Sequence, residues 1–281
     1  MNLIYAPPVL AALPSPLDLL ELEFLRAALA ELLLLAVAGG VLGVWIVLRR
    51  LSFFSHAVGA VAFPGLVAAE ASGVSPKLAG LAVAFGYAGG VGRTGWAGRD
   101  PGDAATGLLL VAALAGGVVL ASDVFESGAS VDRLLFGTVL AVGTDDLALA
   151  AAAAICACAG ALALGRAWSA GGFDPAGAPA LGVPRWADLA LLALIALAAV
   201  AAIPAVGALL LTAMLVVPAA TARLLSDELS GLVRAAVVIA ALQGTAGLYL
   251  AYALDVPPGP AVAALGAGSY LVVALVRRGT P

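Results

Sequence analysis

Charge is scarce in this sequence: only 11% of its residues are Asp, Glu, Lys or Arg, against about 25% in soluble domains. It also has a single histidine, His56, a single lysine, Lys77, and two cysteines. Each shortage excludes something. A Gly-x-x-x-x-Gly-Lys-Ser/Thr loop needs a lysine, and the surroundings of Lys77 do not supply one, so the chain has no phosphate cradle of that kind for ATP. With a net charge of -4 and no basic run, it lacks the counterion-releasing surface that nucleic acid requires. Cys156 and Cys158 lie two residues apart in an alanine-rich stretch, where a helix turns them to nearly opposite sides, so neither a disulfide nor a metal clip is expected. There is no His-Glu-x-x-His, no Gly-x-Ser-x-Gly and no aspartate pair inside an apolar stretch, which leaves intramembrane hydrolysis without a basis.

What the chain has in excess is apolar residues, 63% of the total, with a mean hydropathy of +1.13. That is too much for one core and predicts a polytopic bundle of transmembrane helices. Residues 1–23, broken by Pro7, Pro8, Pro14 and Pro16, form a tail or interfacial helix without the basic start of a secretory signal. Nine spans are expected near 24–48, 51–71, 77–92, 104–121, 146–165, 186–202, 205–219, 232–253 and 260–276. Eight result if the break at 201–207 is ignored. With nine spans and the N-terminus outside, only Arg26, Lys77 and Arg133 of the 13 basic residues fall outside, as the cytoplasmic preference of Lys and Arg demands. The C-terminus is then cytoplasmic, and the acidic residues lean to the exterior, where they concentrate cations. The segment 126–146 is too short and polar to span and is expected as an external surface or re-entrant helix. Gly39-x-x-x-Gly43 and Gly86-x-x-x-Gly90 permit close helix packing in lipid.

Two stretches carry chemistry. His56, in "LSFFSHAVGAVAFPGL", falls within the inner half of the second span, where an ionisable ring faces a cavity, a partner or an ion. Ser52 lies one turn earlier to hydrogen-bond the ring, Glu70 lies nearly four turns later, and Pro64 between them frees backbone carbonyls that can line a path. A neutral imidazole suits zinc, manganese or iron; a buried histidine satisfied by Ser52 or a neighbouring carbonyl is the plainer alternative. The second stretch, 222–234, mixes Leu224, Leu225, Leu229 and Leu232 with Arg223, Asp227, Glu228 and Arg234. It reads as a short cytoplasmic amphipathic helix able to dock in a partner's groove, or as an ordinary interfacial loop.

Five blocks in order, "LGVWIVLRRLSFFSHAVGAVAFPG" (42–65), "DRLLFGTVLAVGTDDL" (132–147), "FDPAGAPALGVP" (173–184), "VGALLLTAMLVVPAATARLL" (206–225) and "YALDVPPGPAVA" (252–263), resemble the membrane permease of bacterial ABC importers for zinc, manganese and iron(II), the ABC-3 type. The resemblance covers about 24–278. It implies an all-helical permease of the cytoplasmic membrane that pairs with a second copy of itself. Two copies of a separate cytoplasmic ATPase would dock on 222–234 as the coupling helix, through Arg223, Leu224, Leu225, Asp227, Glu228 and Leu229. ATP would belong to that partner, metal would arrive from an extracytoplasmic binding protein, and this chain would hold no cofactor and catalyse nothing.

The sequence departs from that family at one place. Where the family has an Asp and, four residues later, a His as the metal pair, this chain has His56 and Ala60. The missing carboxylate removes a hard oxygen ligand and favours zinc narrowly over manganese, and leaves a non-metal or chelated substrate open. Glu31, Glu70, Asp123 and Glu126 are the acids that stand to replace it. The alternatives from other classes are a secondary transporter with His56 as its proton-linked group and a membrane scaffold that has lost its site.

Overall fold

The computed structural model describes residues 21–95, 103–124, 142–174, 176–184, 186–207 and 211–278. Among the described residues every regular element is a helix. In chain order the α-helices are α1 (Glu23–Leu48), α2 (Ser52–Ser72), α3 (Pro76–Gly95), α4 (Asp103–Val124), α5 (Thr144–Phe173), α6 (Trp186–Val206), α7 (Leu211–Leu215), α8 (Val217–Leu225), α9 (Leu229–Leu254) and α10 (Pro258–Arg278), with a short 3-10 helix, Ala178–Leu181, between α5 and α6. Residues 1–20 of the expected tail and 126–141 of the expected external segment lie outside the described residues; of the latter 142–146 are seen, 144–146 as the first turn of α5.

Five helices, α1, α5, α6, α9 and α10, are long and apolar enough to cross a membrane by length and composition. The spans expected at 51–71, 77–92 and 104–121 fall on α2, α3 and α4, which run 20 to 22 residues, enough for ~30 Å of hydrocarbon, but they fall outside that set. The helix ends within the expected break at 201–207: α6 continues through Pro204 and stops at Gly207, whose φ of +84° suits glycine. Beyond it the apolar run is split into α7 and α8 at Val216, with Pro218 in the first turn of α8, where its missing N–H costs nothing.

Two helices form the spine. The most apolar windows of α1 and α6 are 72% and 67% buried, against 22% for α5 and α10, so the spine is enclosed by protein and the outer helices present their flanks outward. α1 packs on α5, α6, α8 and α9, whereas α2 packs mainly on α3 and α4 and touches α1 only lightly. Where lipid gives no hydrophobic drive to associate, close backbone approach and dispersion hold helices together. Gly39 and Gly43 supply that approach: a Cβ on Gly43 would stand 2.2 Å from the Leu215 carbonyl oxygen, and one on Gly39 2.9 Å from that of Met214. The other such motif makes no comparable contact among the described residues, none of which lies within 4 Å of a Cβ on Gly86 or Gly90.

The two ends of the bundle follow from its ion pairs. Lys77, in the first turn of α3, bonds Asp146, in the first turn of α5, at 2.8 Å. At the opposite end Arg49, just beyond α1, pairs with Asp188 in the first turn of α6.

Candidate functional site

His56 stands in the second turn of α2, at the Arg49 end, and is half-buried. Its helix is fixed by the Phe54 ring stacked on Tyr87 of α3 at 5.6 Å, while the Tyr87 hydroxyl donates to the Thr106 carbonyl of α4 at 3.2 Å. The expected bond from Ser52 is not made. Ser52 is exposed, and the nearby serine bond is local, from Ser55 Oγ to the Ser52 carbonyl at 2.9 Å. The helix continues across Pro64 rather than breaking there. Because proline has no N–H, the carbonyl of Ala60 has lost its i+4 donor. A backbone oxygen is therefore left one turn beyond His56, at the position where the resembled family carries histidine.

Among the described residues no three His, Cys, Asp or Glu side chains gather closely enough to hold a metal. Of the four acids proposed to replace the missing ligand, Glu126 and the side chains of Glu70 and Asp123 lie outside the described residues. Glu31 is described, and it does not approach His56. It belongs to the Lys77 end, within electrostatic reach of Asp146 and Lys77, whereas His56 lies about 24 Å along α2 from Ser72 at a rise of ~1.5 Å per residue. The acid of α1 and the imidazole of α2 occupy opposite halves of the bundle. Glu31 is completely buried, and neither carboxylate oxygen has a hydrogen-bond partner among the described residues. Cys156 and Cys158 are free, the first exposed and the second half-buried.

The amphipathic helix expected over 222–234 is instead a corner. α8 ends at Leu225, Ser226 is extended, and α9 begins at Leu229 with Glu228 as its extended N-cap. Ser and Asp next to a helix end bond the backbone locally and so favour a turn over a continuous helix; here Ser226 Oγ reaches the Glu228 carbonyl at 3.4 Å. The corner rests on a small core of Val44, Ala219, Ala222, Leu232 and Ala236. Arg277, in the last turn of α10, donates to the Leu225 carbonyl at 3.1 Å, which satisfies one of the open carbonyls at the α8 terminus. Arg223, Leu225, Asp227, Glu228 and Leu229 are all exposed, and Leu224 is half-buried. The corner therefore presents two leucines, Leu225 and Leu229, in a ring of charge. Sequence reasoning missed Arg277, because its contact is 52 residues away in the chain.

Comparison with known proteins places this architecture. A profile of the ABC 3 transport family matches residues 21–277. The chain is 30% identical to the manganese transport system membrane protein MntC of Halalkalibacterium halodurans over 246 residues, 87% of this chain and 84% of that protein. It is 28% identical to the manganese import system permease protein ScaB of Streptococcus parasanguinis over 255 residues, covering 90% of each chain. Among solved structures, PsaBC from Streptococcus pneumoniae in complex with Fab matches with a TM-score of 0.81 at 25% identity, covering 92% of this chain and 94% of that one.

Proposed function

Since the chain belongs to the ABC 3 transport family, in which it is a multi-pass permease of the cytoplasmic membrane, we propose that it forms the pathway for manganese in an ATP-driven importer, with zinc as the competing ion. The observation that carries this reading is the family match across all the described helices, 21–277, together with relatives named for manganese. The sequence alone favoured zinc narrowly, because the carboxylate beside His56 is gone; the relatives' names weigh more.

The proposed topology has nine crossings, with the Lys77 end outside and the Arg49 end in the cytoplasm. It is supported by Arg49, Arg93, Arg223, Arg234 and Arg277 standing at the ends of α1, α3, α8, α9 and α10 that share one side of the bundle. Two copies of the permease pair. An ATPase subunit bears on the corner between α8 and α9, with Leu225 and Leu229 as the apolar anchors and Arg223, Asp227 and Glu228 around them, and an extracytoplasmic protein delivers the ion to the Lys77 end. Because the corner is tied to α1 through Val44 and to α10 through Arg277, force applied there reaches the spine and the outer helix together. ATP binding on the partner then biases the permease between two arrangements. In the pathway the His56 imidazole and the Ala60 carbonyl offer one nitrogen and one oxygen on the same turn of α2.

The test is uptake of radioactive Mn(II) and Zn(II) into proteoliposomes holding the chain with its ATPase and binding protein. ATP-dependent accumulation of manganese is expected, lost in His56→Ala with insertion unchanged. Accumulation that follows a proton gradient and ignores ATP overturns the importer, and an undiminished His56→Ala rate removes the imidazole from the pathway.

A further inference from the structure

A cleft on the flank of the bundle takes no part in the pathway. It lies between α3 and α6 towards the Arg49 end, has a volume of about 260 Å³ and is lined by Phe85, Gly86, Gly89, Arg93 and Leu189. The two helices meet beside it, where a Cβ on Gly92 would stand 3.1 Å from Leu189 Cδ1. One turn further along α3 the floor is open, with no described residue within 4 Å of a Cβ on Gly86 or Gly89. Leu78, Ala82, Phe85, Gly86, Gly89 and Arg93 recur at the spacing of a single helix face, and all are exposed except Gly89, which is half-buried. In a chain of the cytoplasmic membrane that face meets lipid or another helix. Its one charged group is Arg93, in the last turn of α3. The guanidinium has no acid or other acceptor among the described residues, and Asp188, next to Leu189 in the chain, is already held by Arg49. An arginine does not shed its proton. The cleft therefore offers a permanent cation at its mouth and an apolar floor behind it.

We propose that this cleft holds one anionic phospholipid, its acyl chain along Phe85, Gly86, Gly89 and Leu189 and its phosphate against Arg93. A guanidinium matches phosphate in bidentate geometry, and basic pockets between membrane helices select anionic headgroups. Trp186 lies one turn before Leu189 on α6 and is 57% exposed, which sets an indole beside Arg93 at the depth that indoles prefer, the headgroup region. A free phosphate would leave Phe85 and Leu189 uncovered. A second copy of the chain fits less well, because a two-fold axis along the membrane normal would set the Arg93 side chains of an α3 to α3 contact against each other. A phospholipid alone joins an anion to an apolar chain, as the cleft joins a cation to an apolar floor.

The proposal needs the chain to lie in a membrane and is indifferent to the ion it carries, so it stands or falls apart from the proposed function. The full chain, purified in detergent, would be titrated with phosphatidylglycerol or with phosphatidylcholine of the same acyl chains, and the lipid adducts counted by native mass spectrometry. The first phosphatidylglycerol is expected to bind roughly fivefold more tightly than the first phosphatidylcholine, about the worth of one basic residue at an anionic membrane surface. Arg93→Gln should remove that preference. Gly89→Leu fills the cleft and leaves the guanidinium, and the open space around that position lets it fold; it should weaken the first adduct of either lipid several-fold. Ala82→Leu, on the same exposed face but outside the cleft, should change neither. Equal binding of the two lipids by the parent overturns the proposal, as does a preference that survives Arg93→Gln. Loss of preference in Arg93→Gln with no effect of Gly89→Leu reduces the site to attraction at an exposed arginine and overturns the cleft. Gly89→Leu that lowers the dimer content and leaves the adducts unchanged overturns it too, and gives this face to a second copy of the chain.

Discussion

The two ends of α1 solve the same problem in opposite ways. At one end Arg49 leaves the helix and pairs with Asp188 of α6, its stem against Gly172 and its guanidinium against Gly171 of α5. Trp45 meets Trp168 edge-on at 5.1 Å and donates to Ser169 Oγ at 3.3 Å, while Trp168 Nε1 donates to the Ala187 carbonyl at 2.8 Å. Towards the other end, Glu31 is enclosed as completely as Trp168 but has no hydrogen bond among the described residues, while Lys77 and Asp146 are paired with each other. The Arg49 end is therefore a staple joining α1, α5 and α6, whereas Glu31 is a buried acid that no hydrogen bond among the described residues holds in place.

That contrast predicts opposite responses to mutation. Trp168→Ala should have the largest effect, a loss of about 3 kcal/mol or more, since it empties a fully buried ring site and orphans the Ala187 carbonyl. The check is the midpoint of thermal unfolding of the purified chain in detergent, and a shift no larger than that of a surface substitution would break the staple. Asp188→Asn should cost less, about 1 kcal/mol, because its carboxylate is 45% exposed and such pairs are weak. Its informative reading is local: proteolytic or hydrogen-exchange protection should fall at the start of α6 and leave the Lys77 end unchanged.

Much of the frame was legible in the sequence. Expected spans 24–48, 51–71 and 104–121 fall on α1, α2 and α4, because long apolar runs bounded by charge or glycine leave few other choices. Gly39 and Gly43 were read as a close-packing pair and they are; Gly86 and Gly90 have the same spacing and touch nothing, since a motif on one helix does not say which face meets a neighbour. The break expected at 201–207 is there, but α6 passes through Pro204 and the stop comes from the backbone of Gly207. The residues of the 222–234 segment were legible but its shape was not, because the turn depends on Ser226 and on Arg277 arriving from α10. His56 was found by being the only histidine. Its expected support from Ser52 failed, and the association of Glu31 with Asp146 and Lys77 was invisible because three helices separated in sequence create it.

The smallest expected effect is the one that most sharpens the contrast. Glu31→Gln keeps the volume, so in a structural staple it would destabilise as Asp188→Asn does, whereas for a buried acid without a hydrogen-bond partner it should leave the unfolding midpoint unchanged or raise it. The sign matters more than the size: without divalent ions, the variant should be at least as stable as the parent. A Glu31→Gln chain that melts below the parent in the absence of metal would make Glu31 a structural contact after all, and the two ends of α1 would be alike.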